Sequence, residues 1–425
     1  MGVALPTGIE GEMTMAQITA TIRPEEVGMS SERLARIDDH FRTYVDDGRL
    51  PGYSVAVARY GQLAHVSHYG MRNVEDKLPI TADTMYRIYS MTKPITSVAC
   101  MMLVEEGKLQ LTDEVREFIP SFGKTEVFRG GSSLAPVTEP QHEQMRVWHL
   151  LTHTAGLTYG FNYYDAIDDM YRRAGFDYGI PQADSLEQIC DRYAALPLVF
   201  HPGTSWNYSV ATDILGRVVE VVSGMTLDRF FEERIFAPLG MHDTSFWAPE
   251  SKHDRMAALY VADTMTQKAR RGTTIEQNAL RKPTYFSGGG GLVSTAYDYW
   301  RFLQMLENGG ELDGARIISP TTLDLMTMNH LPNNTDISSW GRPLGDEIFY
   351  NGLGFGLGFA VVIDQAKTKV ACPNGTYSWG GMASTAFWVD PVEEVTAMFF
   401  TQLVPSTTHP IRPYLRSLVY QSIIE

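Results

Sequence analysis

The chain has 425 residues, 44% of them hydrophobic and 20% charged, an ordinary globular balance with room for two intertwined domains. A formal net charge of −15 repels phosphate backbones and argues against nucleic acid as a partner. No apolar run approaches the roughly 18 residues a membrane span needs, and the first 22 residues lack a basic start followed by an apolar core, so a cytoplasmic location is expected. Cys100, Cys190 and Cys372 lie far apart and form no C-x-x-C pair, which predicts free thiols rather than a disulfide framework or zinc ribbon.

Residues 1–22 show no periodicity, and 1–19 are expected to form a disordered tail. Ser30 or Ser31 caps a predicted helix carrying Leu34, Ile37, Phe41 and Tyr44 on one face and ending at Gly48. Tyr53, Val55 and Val57, then Tyr60-Gly61, then Leu63 to Val66, predict a hairpin. Pro94, Ile95, Val98, Ala99, Met102 and Leu103 recur at helical spacing before Gly107. The segment from Gly123 to Pro140 reads as a loop rich in Gly, Ser and Pro. Ser185 with Gln188 predicts a capping box, and Ile214, Leu215, Val218, Val219 and Val222 a helix closed by Gly224. Gly352 to Phe359 alternates with period two and runs on into Ala360–Ile363 as strand. Further strands are expected at Val370–Cys372, Ser384–Val389 and Val395–Phe400, before a final helix bearing Ile411, Leu415, Val419 and Ile423.

Strands at both ends and helices between them predict an α/β (α+β) architecture. Residues 20–81 and 287–425 would build one α/β domain with an antiparallel sheet, and 82–286 an inserted, mainly helical domain. Clefts at such boundaries are common binding places.

Ser90-Met91-Thr92-Lys93 sits just inside the insertion, at the head of the Pro94–Leu103 helix. Residues i and i+3 on a helix are neighbours, so the lysine amine can reach the serine hydroxyl. A helix N-terminus also favours developing negative charge. S-x-x-K is a common pattern, however, and Ser121-Phe122-Gly123-Lys124 repeats it in a segment that reads as loop.

Two distant segments offer partners. Tyr208 closes the turn and aromatic segment His201–Tyr208; a phenol beside a cationic lysine can act as a base, or the ring can simply pack on the helix behind it. Trp379-Gly380-Gly381-Met382 places two glycines at a strand, which suits either close backbone approach with N–H groups offered to an oxyanion, or a bulge or turn. Other patterns are set aside. His149 and His153 have metal-ligand spacing but neither the H-E-x-x-H glutamate nor a third ligand within sequence reach. Gly288–Gly291 lacks the context of a dinucleotide fingerprint, and no G-x-S-x-G elbow surrounds any serine.

Six blocks occur in a familiar order: Ser90–Lys93, Leu150–Leu157, Pro202–Ser209, Pro238–Thr244, Gly288–Thr295 and Trp379–Gly381. From about residue 24 onward the chain resembles the family VIII carboxylesterases, which are similar to class C β-lactamases and D-Ala-D-Ala peptidases. The resemblance implies a β-lactamase and penicillin-binding-protein-like fold. Ser90 would be the acylated nucleophile, Lys93 and Tyr208 the base system, and the backbone N–H groups of Ser90 and Met382 the oxyanion hole. Covalent catalysis by serine needs such an activating base. Trp379, Gly380 and Gly381 would border the substrate, with Tyr159 and Phe161 as candidates for an aromatic wall that could equally be core.

The departures point toward esters. Trp379 stands where the lactamases carry the lysine of K-T-G, which removes a partner for a substrate carboxylate worth roughly 1.5–3 kcal/mol. Val210 replaces the asparagine of Y-x-N, a partner for an amide side chain. The expected activity is hydrolysis of short-chain carboxylic esters, possible weak β-lactam turnover included, with a β-lactamase or peptidase and an acyltransferase as alternatives. No metal and no cofactor is called for, and the expected partner is a small-molecule ester.

Overall fold

The computed structural model describes residues 17–177, 184–272, 277–342 and 351–425. Most of the expected N-terminal tail lies outside these residues. Its last part packs: Ile18 is buried, and the Thr21 N–H donates to the Leu63 carbonyl at 2.8 Å.

Ser30 caps α1 (Ser31–Asp46) by accepting the Arg33 N–H, and Leu34, Ile37, Phe41 and Tyr44 form its buried face. Strands β1 (Gly52–Arg59) and β2 (Gln62–Asn73) make the expected hairpin. Its turn places Tyr60 and Gly61 at φ +51° and +71°, the left-handed pair that matches strand twist. Edge strand β3 (Leu78–Pro79) follows; a proline is tolerated there because an edge leaves N–H positions unpaired. A 3-10 turn, Tyr89–Met91, leads into α2 (Thr92–Glu105). Every α2 residue from Thr92 to Leu103 is buried, as expected of a helix running through the centre of a domain.

Three sequence expectations change. The Gly123–Pro140 loop contains a hairpin of β4 (Glu126–Ser132) and β5 (Ala135–Pro140). A register shift after Phe128 and Gly131 at φ +92° break the alternation that would have revealed it. The run from Gly352 to Ile363 is not one strand but a hairpin of two short ones, bent through Gly356–Phe359 with Gly358 at φ +100°. Val370–Cys372 forms a turn, because Lys369 is left-handed and Pro373 has no N–H to give a ladder.

Between these segments lie α3 (Leu186–Ala194), opened by the reciprocal Ser185 and Gln188 capping box, and α4 (Ala211–Ser223), closed by Gly224 at φ +70°. Then come α5 (Ala296–Glu307), the hairpin strands β6 (Leu353–Phe355) and β7 (Ala360–Val362), and β8 (Tyr377–Gly380). The chain closes with β9 (Ala386–Asp390), β10 (Val395–Phe400) and α6 (Ile411–Tyr420).

The main sheet has eight strands in the order β6-β7-β8-β9-β10-β1-β2-β3, every pair antiparallel. Period two assigns its faces. Tyr53, Val55 and Val57 of β1 and Phe399 of β10 pack against Phe41 of α1 and Leu415 of α6. Ala56, Ala58, Met398 and Phe400 turn to the other face, among Ile95 of α2 and Phe302 of α5. Burying each such large side chain contributes about 1.5–3 kcal/mol. The result is the β-lactamase and penicillin-binding-protein fold. Among the described residues no helix is long and apolar enough to cross a membrane.

Two predictions follow from packing. A Cβ on Gly358 would lie 2.2 Å from Ser97 Oγ of α2, at a φ that side chains avoid. Gly358→Ala is therefore expected to destabilise by roughly 2 kcal/mol or more, read as a lower midpoint in chemical denaturation. His149 is buried and accepts the Arg146 N–H at Nδ1, and burial pushes it down to about 4. The unfolded chain takes up this proton near pH 6.5 and the folded one only near 4, so stability should fall as pH drops through that window. Replacing His149 with Gln should flatten that slope by up to about 3 kcal/mol in urea titrations.

Candidate active site

Ser90 lies in the 3-10 turn at the head of α2, and the residue before it, Tyr89, has φ +45°. A non-glycine residue in this region stores on the order of 1 kcal/mol of strain, which surrounding contacts must hold. Ser90 Oγ accepts the Tyr208 hydroxyl at 2.7 Å and the Lys93 amine at 3.2 Å. The chain-distant tyrosine and the i+3 lysine thus meet on one oxygen.

Lys93 is 2% exposed, so its nitrogen must find partners inside the protein. It has three acceptors: the Gly289 carbonyl at 2.6 Å, the Tyr159 hydroxyl at 3.1 Å and Ser90 Oγ at 3.2 Å. Three N–H donors and three acceptors match. The nitrogen also stands 4.6 Å over the Tyr208 ring, an electrostatically favourable position on a π face. Lys93 does not bond the Tyr208 hydroxyl; the two are joined through Ser90.

Tyr208 is held by the block around Leu150–Leu157. The Asn207 N–H donates to the His153 carbonyl at 3.0 Å, and Asn207 Nδ2 to the Leu157 carbonyl at 2.8 Å. The Tyr208 carbonyl accepts from Asn162 Nδ2. His153 is buried against the Tyr208 ring, and burial followed by the nearby Lys93 charge pushes its pKa well below the ordinary value. A neutral imidazole bonded to Ser209 Oγ braces this segment.

Tyr159, expected as wall, has a second role as a Lys93 partner. Burial first, then Tyr208 and Asp213, hold its phenol well above the ordinary tyrosine range, so it stays protonated. Its ring stacks on Phe161 at 4.5 Å, and both line a cavity of about 510 Å³ with Ser90, Tyr208, Val210 and Trp379. That volume suits a small-molecule ligand.

Trp379 and Gly380 end β8, and Gly381 turns back, donating its N–H to the Thr385 carbonyl. A Cβ on Gly381 would meet the Ile88 carbonyl at 2.4 Å, so glycine is required where this turn presses on the segment bearing Ser90. Close approach and turn, offered as alternatives by the sequence, are both present. The Ser90 and Met382 backbone N–H groups have no acceptor among the described residues. Arg412 also lines the cavity and donates to the Gly381 and Thr385 carbonyls, which braces the same turn.

Sequence reasoning missed the Gly289 carbonyl and Asp213, which accepts the Gly289 N–H at 3.0 Å. The only signals were the glycine run and an acidic residue five places after Tyr208. Ser121 sits in a separate 3-10 turn, and its hydroxyl has no hydrogen-bond partner. One potential metal trio occurs among the described residues, Glu139, His142 and His201. There the His142 N–H points at His201 Nδ1, which leaves Nε2 to carry the proton and donate to Glu139 at 2.9 Å. This pair is satisfied without a metal.

A beta-lactamase family profile matches residues 37–421. Protein Rv1367c of Mycobacterium tuberculosis is 35% identical over 368 residues, covering 86% of this chain and 88% of its own. Esterase EstB of Burkholderia gladioli is 30% identical over 421 residues, covering 94% and 99%. Among solved structures, EstCE1, a hydrolase with promiscuous acyltransferase activity, superposes with a TM-score of 0.76 at 28% identity, covering 92% and 99%. The chain belongs to the beta-lactamase family, as a serine hydrolase of the family VIII carboxylesterase type.

Proposed function

We propose that the protein hydrolyses short-chain carboxylic esters through an acyl-enzyme on Ser90. The observation that carries this reading is the convergence of Tyr208 and Lys93 on Ser90 Oγ at 2.7 and 3.2 Å. In the reactive form Tyr208 is a phenolate held beside the Lys93 ammonium, and as Ser90 Oγ attacks the ester carbonyl carbon its proton passes across the same 2.7 Å contact to the Tyr208 oxygen. The negative charge that builds on the carbonyl oxygen is received by the Ser90 and Met382 N–H groups. When the bond to the alkoxide breaks, the same pair returns the proton to it. Water then gives up a proton to the pair and attacks the acyl carbon; the bond to Ser90 Oγ breaks, the pair returns the proton to Oγ, and the acid leaves.

Ester preference rests on Trp379 and Val210. The Trp379 ring lies 5.3 Å from Tyr208, and both it and Val210 present apolar surface to the cavity. Val210 has no hydrogen-bonding side-chain group, and Trp379 offers a neutral indole N–H in place of a lysine's charge. Arg412 donates from Nη2 to two carbonyls of the neighbouring turn. The division into an α/β domain of residues 20–81 and 287–425 with a helical insertion of 82–286 is supported by the main sheet, all of whose strands come from outside the insertion.

A second reading, acyl transfer to an alcohol, is favoured by the cavity of about 510 Å³, which exceeds what a short acyl chain fills. EstCE1 is described with such an activity. Both reactions share the acyl-enzyme, and product analysis with added alcohol separates them.

A fluorophosphonate should label Ser90, read by intact mass and peptide mapping; label elsewhere refutes the mechanism. Lys93→Ala and Tyr208→Phe are each expected to lower kcat by about 100-fold or more in folded protein. Short p-nitrophenyl esters should be turned over faster than long ones and far faster than a cephalosporin. A preference for the β-lactam would reverse the substrate assignment.

A further inference from the structure

Asp213 lies in the first turn of α4 and is 4% exposed. A carboxylate there is favoured by the helix dipole, yet its side chain does not bond its own helix. It reaches across to the segment Ser287–Gly289, where Oδ1 accepts the Ser287 hydroxyl at 2.6 Å and the Gly289 N–H at 3.0 Å. The contact is close enough that a Cβ on Gly289 would lie 2.7 Å from Oδ2. From the other side, Thr96 of α2 donates to the Gly288 carbonyl at 2.7 Å. The turn is therefore clamped between α2 and α4. The carbonyl that it presents, that of Gly289, is the shortest acceptor of Lys93.

We propose that Asp213 is a positioning residue of the catalytic machinery: it fixes the Gly289 carbonyl that aims the Lys93 amine at Ser90, and supplies the buried negative charge that offsets this lysine. The proposal rests on Ser90, Lys93 and Tyr208 acting as described above. Once the carbonyl takes one Lys93 N–H, the remaining directions on that nitrogen face Tyr159 and Ser90. The ionisable groups facing Asp213 from the packed elements are Tyr159, Cys190, Tyr193 and Tyr285. Burial holds each above its ordinary range, so they stay neutral and offer no counter-charge. The carboxylate and Lys93 then balance one another across a single residue, Gly289, whose N–H faces one and whose carbonyl faces the other.

Replacing the carboxylate with an amide tests this in the full-length protein. Loss of a buried negative charge disfavours placing the serine proton on the neighbouring base. Asp213→Asn is expected to lower kcat by about tenfold with KM within about twofold, and to move the rising limb of the kcat/KM profile to lower pH by roughly half a unit or more. Ser287→Ala keeps the charge and removes one anchor; it should lower kcat by a smaller factor and leave the limb in place. Thermal melts establish that each variant is folded, and if Asp213→Asn does not fold, unchanged kcat in Ser287→Ala overturns the proposal. So does an unmoved limb in folded Asp213→Asn, or a change confined to KM, which would make Asp213 a substrate contact. Phosphonylation of the parent chain tests the underlying reading separately. Absence of label on Ser90 overturns both, whereas label on Ser90 with an unmoved limb overturns the role of Asp213 alone.

Discussion

The burial of Lys93 is the constraint on which the site depends. A lysine nitrogen removed from water costs several kcal/mol unless its donors are met, and here each donor finds an oxygen fixed by a different part of the chain. Ser90 comes from the 3-10 turn at the head of the same helix, Tyr159 from the segment after the Leu150–Leu157 block, and Gly289 from the turn packed between α2 and α4. Any slip among those segments would leave the nitrogen short of a partner. The chemistry and the packing therefore stabilise the same arrangement.

Glycine sets how closely these segments meet. Gly288 and Gly289 lie against the Thr212 carbonyl and the Asp213 carboxylate, and Gly381 against the Ile88 carbonyl, all at separations that a Cβ would not permit. These contacts hold backbone groups where side chains could not reach. Backbone dipoles fixed before substrate arrives need no reorganisation during reaction, which is the property an oxyanion site requires. The strained Tyr89, next in the chain to Ile88, fits the same pattern.

The β-lactamase fold hosts several chemistries, so the site rather than the scaffold decides which one operates. In this chain the wall beside Tyr208 is made by Trp379, Phe161 and Tyr159, with Val210 near the head of α4. Apolar surface in those positions gives a substrate carboxylate little to bind, while an ester carbonyl would need only the turn and the proposed nucleophile, Ser90. The same cavity, of about 510 Å³, has room for a second organic reactant, as the proposed acyl transfer would require.

Local patterns determined much of this protein. The Ser30 cap with its i, i+3, i+4 apolar face, the Tyr60-Gly61 hairpin and the Ser185–Gln188 box encode their own geometry in neighbouring residues, and each forms as its sequence dictates. Ser90 and Lys93 were legible for the same reason, being one helical turn apart. Tyr208 was legible as a partner only through the ordered set of blocks, because nothing in its own surroundings states what it faces. Where left-handed residues or missing N–H groups interrupt a pattern, as at Gly131, Gly358 and Pro373, periodicity misread hairpins and turns as loop or continuous strand. The Gly289 carbonyl, the Tyr159 contact with Lys93 and the reach of Asp213 were decided by tertiary structure alone. Each is a distance between segments remote in sequence, fixed by how α2, α4 and the glycine turn pack, and no local spacing records it.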